Sequence, residues 1–246
     1  MAQEKEYRTM SYEDGGGGGG FTFEDVNVKH GFLRKVYGTL TLQLIITVGI
    51  IIAIYIPVSE HPYTNYFYQN PWVFWTAFGV TFVMIIAMGC VPDLRRKSPI
   101  NIICLLLFTA AEGVLLGITC STYDAQTVLI AAGACAGIVL LLTLFAFQTK
   151  IDFTMMHGVA FVLLMVLLFF GLFAIIFRSD VLDVVYCALG VGLFSLYIVI
   201  DTQLMIGGKH QYEISEEEYI FAALNLYLDI IQLFLFLLRI VGAASD

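Results

Sequence analysis

The chain has 246 residues, of which 59% are hydrophobic and 13% charged, and its mean hydropathy is +0.87. These values exclude a soluble globular domain and identify an all-α polytopic membrane protein. The net charge of −8 says little about partners, because six of the twenty acids lie in the first 31 residues and four between Gly207 and Glu218.

Residues 1–31 read as a flexible cytosolic tail, in which the run Gly15 to Gly20 is a tether that cannot bury a core. Tyr7, Tyr12, Phe21 and Phe23 stand in it either as a short docking motif or as parts of a disordered segment. The opening residues are polar and lack a signal-peptide pattern, so the first span is expected to act as its own insertion signal. Residues 32–246 read as one seven-helix membrane domain. Its apolar segments are Leu33–Ile56, Trp72–Val91, Ile100–Cys120, Thr127–Phe147, Gly158–Phe177, Val184–Ile206 and Tyr219–Val241. Each is close to the roughly 20 residues that a transmembrane helix needs. The longest connection, Pro57–Pro71, is rich in aromatic residues and suits an interfacial belt.

Positive charge sets the expected orientation. Lys29, Arg34 and Lys35 precede span 1, Arg95, Arg96 and Lys97 join spans 2 and 3, Lys150 follows span 4 and Lys209 follows span 6. The alternate loops hold only Arg178. The N-terminus is therefore expected in the cytosol, and the C-terminus across the membrane if span 7 crosses fully rather than re-entering. Gly113/Gly117 and Gly133/Gly137 have the i, i+4 spacing that lets helix backbones approach closely. The five cysteines lie within or at the ends of apolar segments without metal-ligand spacing, as small packing residues do.

Chemistry concentrates in three carboxylates inside spans: Glu112, Asp201 and Asp229. Span 7 opens with Ser215 and Glu218 spaced as a capping box. From Tyr219 the helix rises about 15 Å to reach Asp229, close to the middle of a hydrocarbon layer about 30 Å thick. Asn225 and Gln232, at i−4 and i+3 from Asp229, are expected to share its inward face. Asp201 lies five residues from the inner end of span 6, about 8 Å deep, so the two aspartates could meet. Two carboxylates about 4 Å apart repel by roughly 4 kcal/mol at an effective dielectric of 20, so such a pair holds one proton near neutral pH. The other reading is two unrelated polar groups, each bonded within its own helix contact. Glu112 is either a member of a polar path or a protonated structural residue. The Arg95–Lys97 cluster marks topology, or else one of its arginines reaches inward to Asp201.

An enzyme is not expected. There is no Ser/His/Asp arrangement, phosphate loop, histidine cluster or nucleic-acid signature. The two aspartates lack the Gly-x-Gly-Asp context of intramembrane proteases, since Leu226-Tyr-Leu precedes Asp229.

Arg34-Lys-Val-Tyr37, Phe147-Gln-Thr-Lys150 with Asp152-Phe153, Asp201-Thr-Gln-Leu204, and the run from Glu217 through Asp229 to Ile231 resemble the transmembrane Bax inhibitor motif family, nearest its Lifeguard branch. The resemblance implies seven helices with the last one central, a calcium leak controlled by pH, and protection from cell death. It assigns Asp201 and Asp229 as the proton-sensing pair and as weak, transient calcium ligands. It makes Arg95, or Arg96, the latch on Asp201. Glu112, Asn225 and Gln232 are then candidate pore residues. No cofactor is expected beyond calcium as the permeant ion, and the partners implied are the bilayer and death-pathway or receptor proteins. The membrane implied is endoplasmic reticulum or Golgi ahead of plasma or endolysosomal. A non-conducting interaction protein and a proton-coupled transporter are the alternatives.

Overall fold

The computed structural model of the chain describes residues 23–60, 66–177, 179–207 and 218–245. The poly-Gly tether, Ser215 of the expected capping box, Arg178 and Lys209 lie outside these residues. The helices are α1 (Phe23–Glu60), α2 (Tyr66–Gln69), α3 (Trp72–Cys90), α4 (Pro92–Arg96), α5 (Ile100–Cys120), α6 (Ala125–Gln148), α7 (His157–Phe177), α8 (Asp180–Ile206) and α9 (Tyr219–Ser245). A 3-10 turn, Thr154–Met156, leads into α7. Seven of these helices are long and apolar enough to cross a membrane, so the protein is a multi-pass membrane protein.

The expected spans and these helices coincide apart from their ends. Helix α1 does not stop before Pro57 but runs through it to Glu60. The proline removes one amide donor only a turn from the helix end, and the buried side chains of Ile54 and Val58 hold that last turn in place. The basic loop between spans 2 and 3 also contains structure. Pro92 starts α4 at a position where a missing amide costs nothing, Asp93 stands in its first turn and Arg95 and Arg96 in its last, as the helix dipole favours.

Helix α9 is the most deeply buried: 67% of its apolar window lies inside the protein, against 44% for α8 and 39% for α5. It packs chiefly against α8, α6 and α1, with smaller contacts to α4 and α5, while α3 rests on α5 and α7 on α8. Small residues make the close approaches. On α6, the buried face is Thr127, Ala131 and Cys135, spaced by four, and the Cys135 thiol donates to the carbonyl of Ile230 on α9 at 3.6 Å. Gly190 of α8 faces the Phe236 ring of α9, which would stand 2.6 Å from an added Cβ. Gly113 and Gly117 meet Ile50 and Ile54 of α1, as their spacing predicts. Gly133 and Gly137 do not behave so: nothing lies within 4 Å of where their Cβ would be. Of the cysteines, Cys120, Cys135 and Cys187 are buried, Cys104 is half-buried and Cys90 is exposed. The side chains left outside are those a bilayer accommodates, with α7 the most apolar span at a mean hydropathy of 3.2.

Candidate functional site

Helix α8 ends in three consecutive buried polar residues, Asp201, Thr202 and Gln203. Successive helical positions diverge around the axis, so they serve three different neighbours. Gln203 turns to the loop after α6, donating from Nε2 to the Ile151 carbonyl at 2.9 Å and accepting the Phe153 amide at Oε1 at 2.8 Å. Asp152 organises the same loop, its Oδ1 accepting the amide and hydroxyl of Thr154. Thr202 faces the Tyr37 phenol of α1, and neither hydroxyl has a hydrogen-bond partner among the described residues. Asp201 turns to α9.

There it meets Asp229. Each residue is only 6% exposed, and the two carboxyl groups face one another within interaction reach. The α8 backbone ends at Gly207, whose φ of 57° suits glycine, and the chain returns so that α9 runs antiparallel to α8. A hydrogen bond between two carboxyls requires a proton on one of them, because an ionised carboxylate only accepts. Oδ2 of Asp229 has no hydrogen-bond partner among the described residues. The Tyr197 phenol, one turn before Asp201, is within electrostatic reach of both carboxyls.

The arginine cluster lies elsewhere. Glu218 Oε1 accepts from Arg96 Nη2 at 2.6 Å and Nε at 2.9 Å, and stands 3.1 Å from Arg95 Nη2. The Arg95 guanidinium also lies 4.6 Å over the Phe221 ring and reaches the Gly89 carbonyl at 3.4 Å. Neither arginine is therefore on Asp201, as the resemblance implied. The reason is depth: Asp201 lies about 8 Å inside the helix end, whereas Glu218 opens α9 at the level of α4 and offers the nearer carboxylate. The arginines fasten the N-terminal end of α9.

A matching fastening closes the C-terminal end of α9. Because α8 begins at Asp180 rather than Val184, Asp183 falls in its first turn, and its Oδ1 accepts from Arg239 near the end of α9. Arg239 also stands 5.8 Å over the Tyr186 ring. Beside this pair, burial pushes the Tyr123 phenol above its ordinary range, with the nearby Arg239 charge partly offsetting it. This pair escaped sequence reasoning because the apolar run alone placed the start of span 6 too late.

A buried polar chain links α1, α5 and α9. The Tyr227 and Thr47 hydroxyls are 2.7 Å apart, Thr47 donates to the Gln43 carbonyl, and Gln43 Nε2 donates to Thr109 Oγ1 at 3.1 Å. Tyr227, two residues from Asp229, is fully buried with its ring 5.9 Å edge-on to Phe108. Glu112 is within electrostatic reach of that phenol but opens into a separate cavity of about 270 Å³ with Gln232 and Thr81. Gln232 thus faces α3 and α5 while Asp229 faces α8, and Asn225 is half-buried on α9. The one polar face expected from spacing is divided between two neighbours. Among the described residues no three His, Cys, Asp or Glu side chains cluster as a metal site. Two carboxyls supply few of the six to eight oxygens that calcium takes, so they fit transient contact rather than storage.

Residues 29–246 match the family model described as inhibitor of apoptosis-promoting Bax1. The chain is 39% identical over 224 residues to protein lifeguard 3 of Homo sapiens, covering 89% of this chain and 71% of that one. The mouse protein of the same name is 38% identical over 90% of this chain and 72% of its own length. Bax inhibitor 1 of Schizosaccharomyces pombe is 34% identical over 89% of this chain and 79% of its own.

Proposed function

This chain belongs to the Bax inhibitor family, and from that premise we propose that it is a calcium-leak pathway whose conductance is set by the proton shared between Asp201 and Asp229. The observation that carries the reading is the buried pair of carboxyl groups facing one another at the α8–α9 contact. With the proton in place the pair is a compact link across the interface. Without it, two charges in a poorly solvated site repel, draw water and attract a divalent cation. The same event therefore loosens α9 against α8 and creates a weak calcium contact. Weak contact suits permeation, which needs an ion to leave as readily as it enters.

In this reading the N-terminus and the Arg95–Lys97 loop face the cytosol, the membrane is an internal one of the endoplasmic reticulum or Golgi, and the leak lowers stored calcium and with it the drive to cell death. Death-pathway proteins are its partners. Purified protein in liposomes loaded with a calcium indicator tests the proposal. Calcium entry above that of empty liposomes is expected; silence from folded, correctly inserted protein would leave a non-conducting interaction protein in its place.

A further inference from the structure

The cavity that contains Glu112 lies between α3, α5 and α9 and is not part of the carboxyl pair. Its walls are Phe74, Phe78, Phe82 and Ile85 on one side and Leu116 and Leu235 on the other, and its polar groups are Glu112, Thr81, Thr119 and Gln232. Two features point to a ligand. Glu112 is 6% exposed, and no basic residue lines the cavity to balance its carboxyl. Thr81 Oγ1, also buried, is the polar neighbour of that carboxyl and has no hydrogen bond of normal geometry among the described residues. Buried polar groups are ordinarily satisfied, and a carboxyl alone in a membrane interior is costly.

The way in is from the bilayer. Phe78 and Phe82 form a stacked pair, centroids 6.4 Å apart, and are 49% and 57% exposed on the lipid-facing side of α3. A solute dissolved in lipid can pass these rings without crossing the protein. The size of about 270 Å³ suits a small group, since an apolar cavity of roughly 150 Å³ holds a benzene. Aromatic faces attract cations, a lone carboxylate attracts an ammonium, and the threonine hydroxyl and glutamine amide accept its remaining protons. An anionic or carboxylic head would meet Glu112 as a like charge. We propose that this cavity is a binding site for a lipophilic primary amine, its ammonium on Glu112 and its hydrocarbon tail leaving between Phe78 and Phe82. The proposal is independent of calcium conduction.

Photolabelling in nanodiscs tests it. The probe is a long-chain primary amine with a mid-chain diazirine, beside the alcohol and the carboxylic acid of the same skeleton, with labelled peptides read by mass spectrometry. The amine should label residues 74–85 and 115–119 saturably and be displaced by unlabelled octadecylamine. The alcohol and acid should label these peptides no more than they label the lipid-facing surface of α7. A buried charge-assisted hydrogen bond is worth about 1.5–3 kcal/mol, so Glu112→Gln should weaken amine labelling roughly tenfold or more. Leu235→Trp, which fills the cavity from α9 and leaves the carboxyl intact, should abolish it, so that one variant decides if the other does not fold. Equal labelling by amine and alcohol, or labelling unchanged in a folded variant of either kind, would overturn the assignment.

Discussion

At the scale of single residues, the motif Asp201-Thr-Gln203 shows how a short polar run in an apolar helix is tolerated. Each side chain finds a different neighbour, and Gln203 satisfies two backbone groups of the loop after α6. Removing it leaves a buried amide and a buried carbonyl unpaired, each costing about 1–3 kcal/mol. Gln203→Ala should therefore lower the melting temperature in detergent substantially, and a melt within a degree of wild type would contradict the clamp. Asp201 can be replaced more gently. Asparagine donates a hydrogen bond without a proton to lose, so Asp201→Asn should keep the fold and its melting temperature. The buried positions of these residues were legible in the sequence, because ionisable groups in a span must face inward. Their partners were not. Spacing along α9 groups Asn225, Asp229 and Gln232 on one face, yet a face about a third of the helix wide touches more than one neighbour, and only packing decides which. The orientation of Arg95 was hidden for a related reason: a long flexible side chain takes the nearest carboxylate, and Glu218 is nearer than any residue inside the bilayer.

At the scale of elements, α9 is a rod fastened at both ends. Arg95 and Arg96 hold Glu218 at the N-terminal end and Asp183 holds Arg239 at the C-terminal one, with the carboxyl pair between. If the fastening at Glu218 restrains α9, Glu218→Ala and the combined Arg95→Ala/Arg96→Ala variant should each raise basal leak, and joining all three changes should add little because each removes the same contact. Effects that sum would show two separate roles. Arg96→Lys should raise leak less than Arg96→Ala, since lysine keeps the charge but loses the two-nitrogen contact to Glu218. Glycines discriminate between helix contacts. Gly190→Ala drives a methyl into the Phe236 ring and should destabilise by about 1–3 kcal/mol, whereas Gly133→Ala, which meets open space, should change stability by less than about 0.5 kcal/mol. Thermal melts of the two variants side by side measure this. The i, i+4 glycine pattern alone could not separate Gly113/Gly117 from Gly133/Gly137, because the same spacing serves a packed face and a lipid-facing one.

At the scale of the whole molecule, the number and order of the seven spans followed from hydropathy, since lipid requires continuous apolar helices and leaves little latitude. Helix ends were less legible: Pro57 inside α1 and Asp183 inside α8 are polar or helix-breaking types that packing and an ion pair retain within helices. The charge bias predicts that cysteines placed at Ser98 are labelled only from the cytosolic side and those at Asp124 only from the other; Ser98 labelled from outside sealed, right-side-out vesicles would reverse the orientation. The central claim is that one shared proton between α8 and α9 controls calcium passage, and the direction follows from the chemistry. The linked state holds the proton, so it is favoured at low pH and lost as pH rises, and leak should rise with it. The most direct measurement is calcium flux in liposomes from about pH 6 to pH 8 for the wild type, Asp201→Asn, Asp229→Asn and the double variant. Each single variant should flatten the pH response, and the double variant should match the singles. A full wild-type response in either single variant, or single effects that add in the double, would contradict the shared proton.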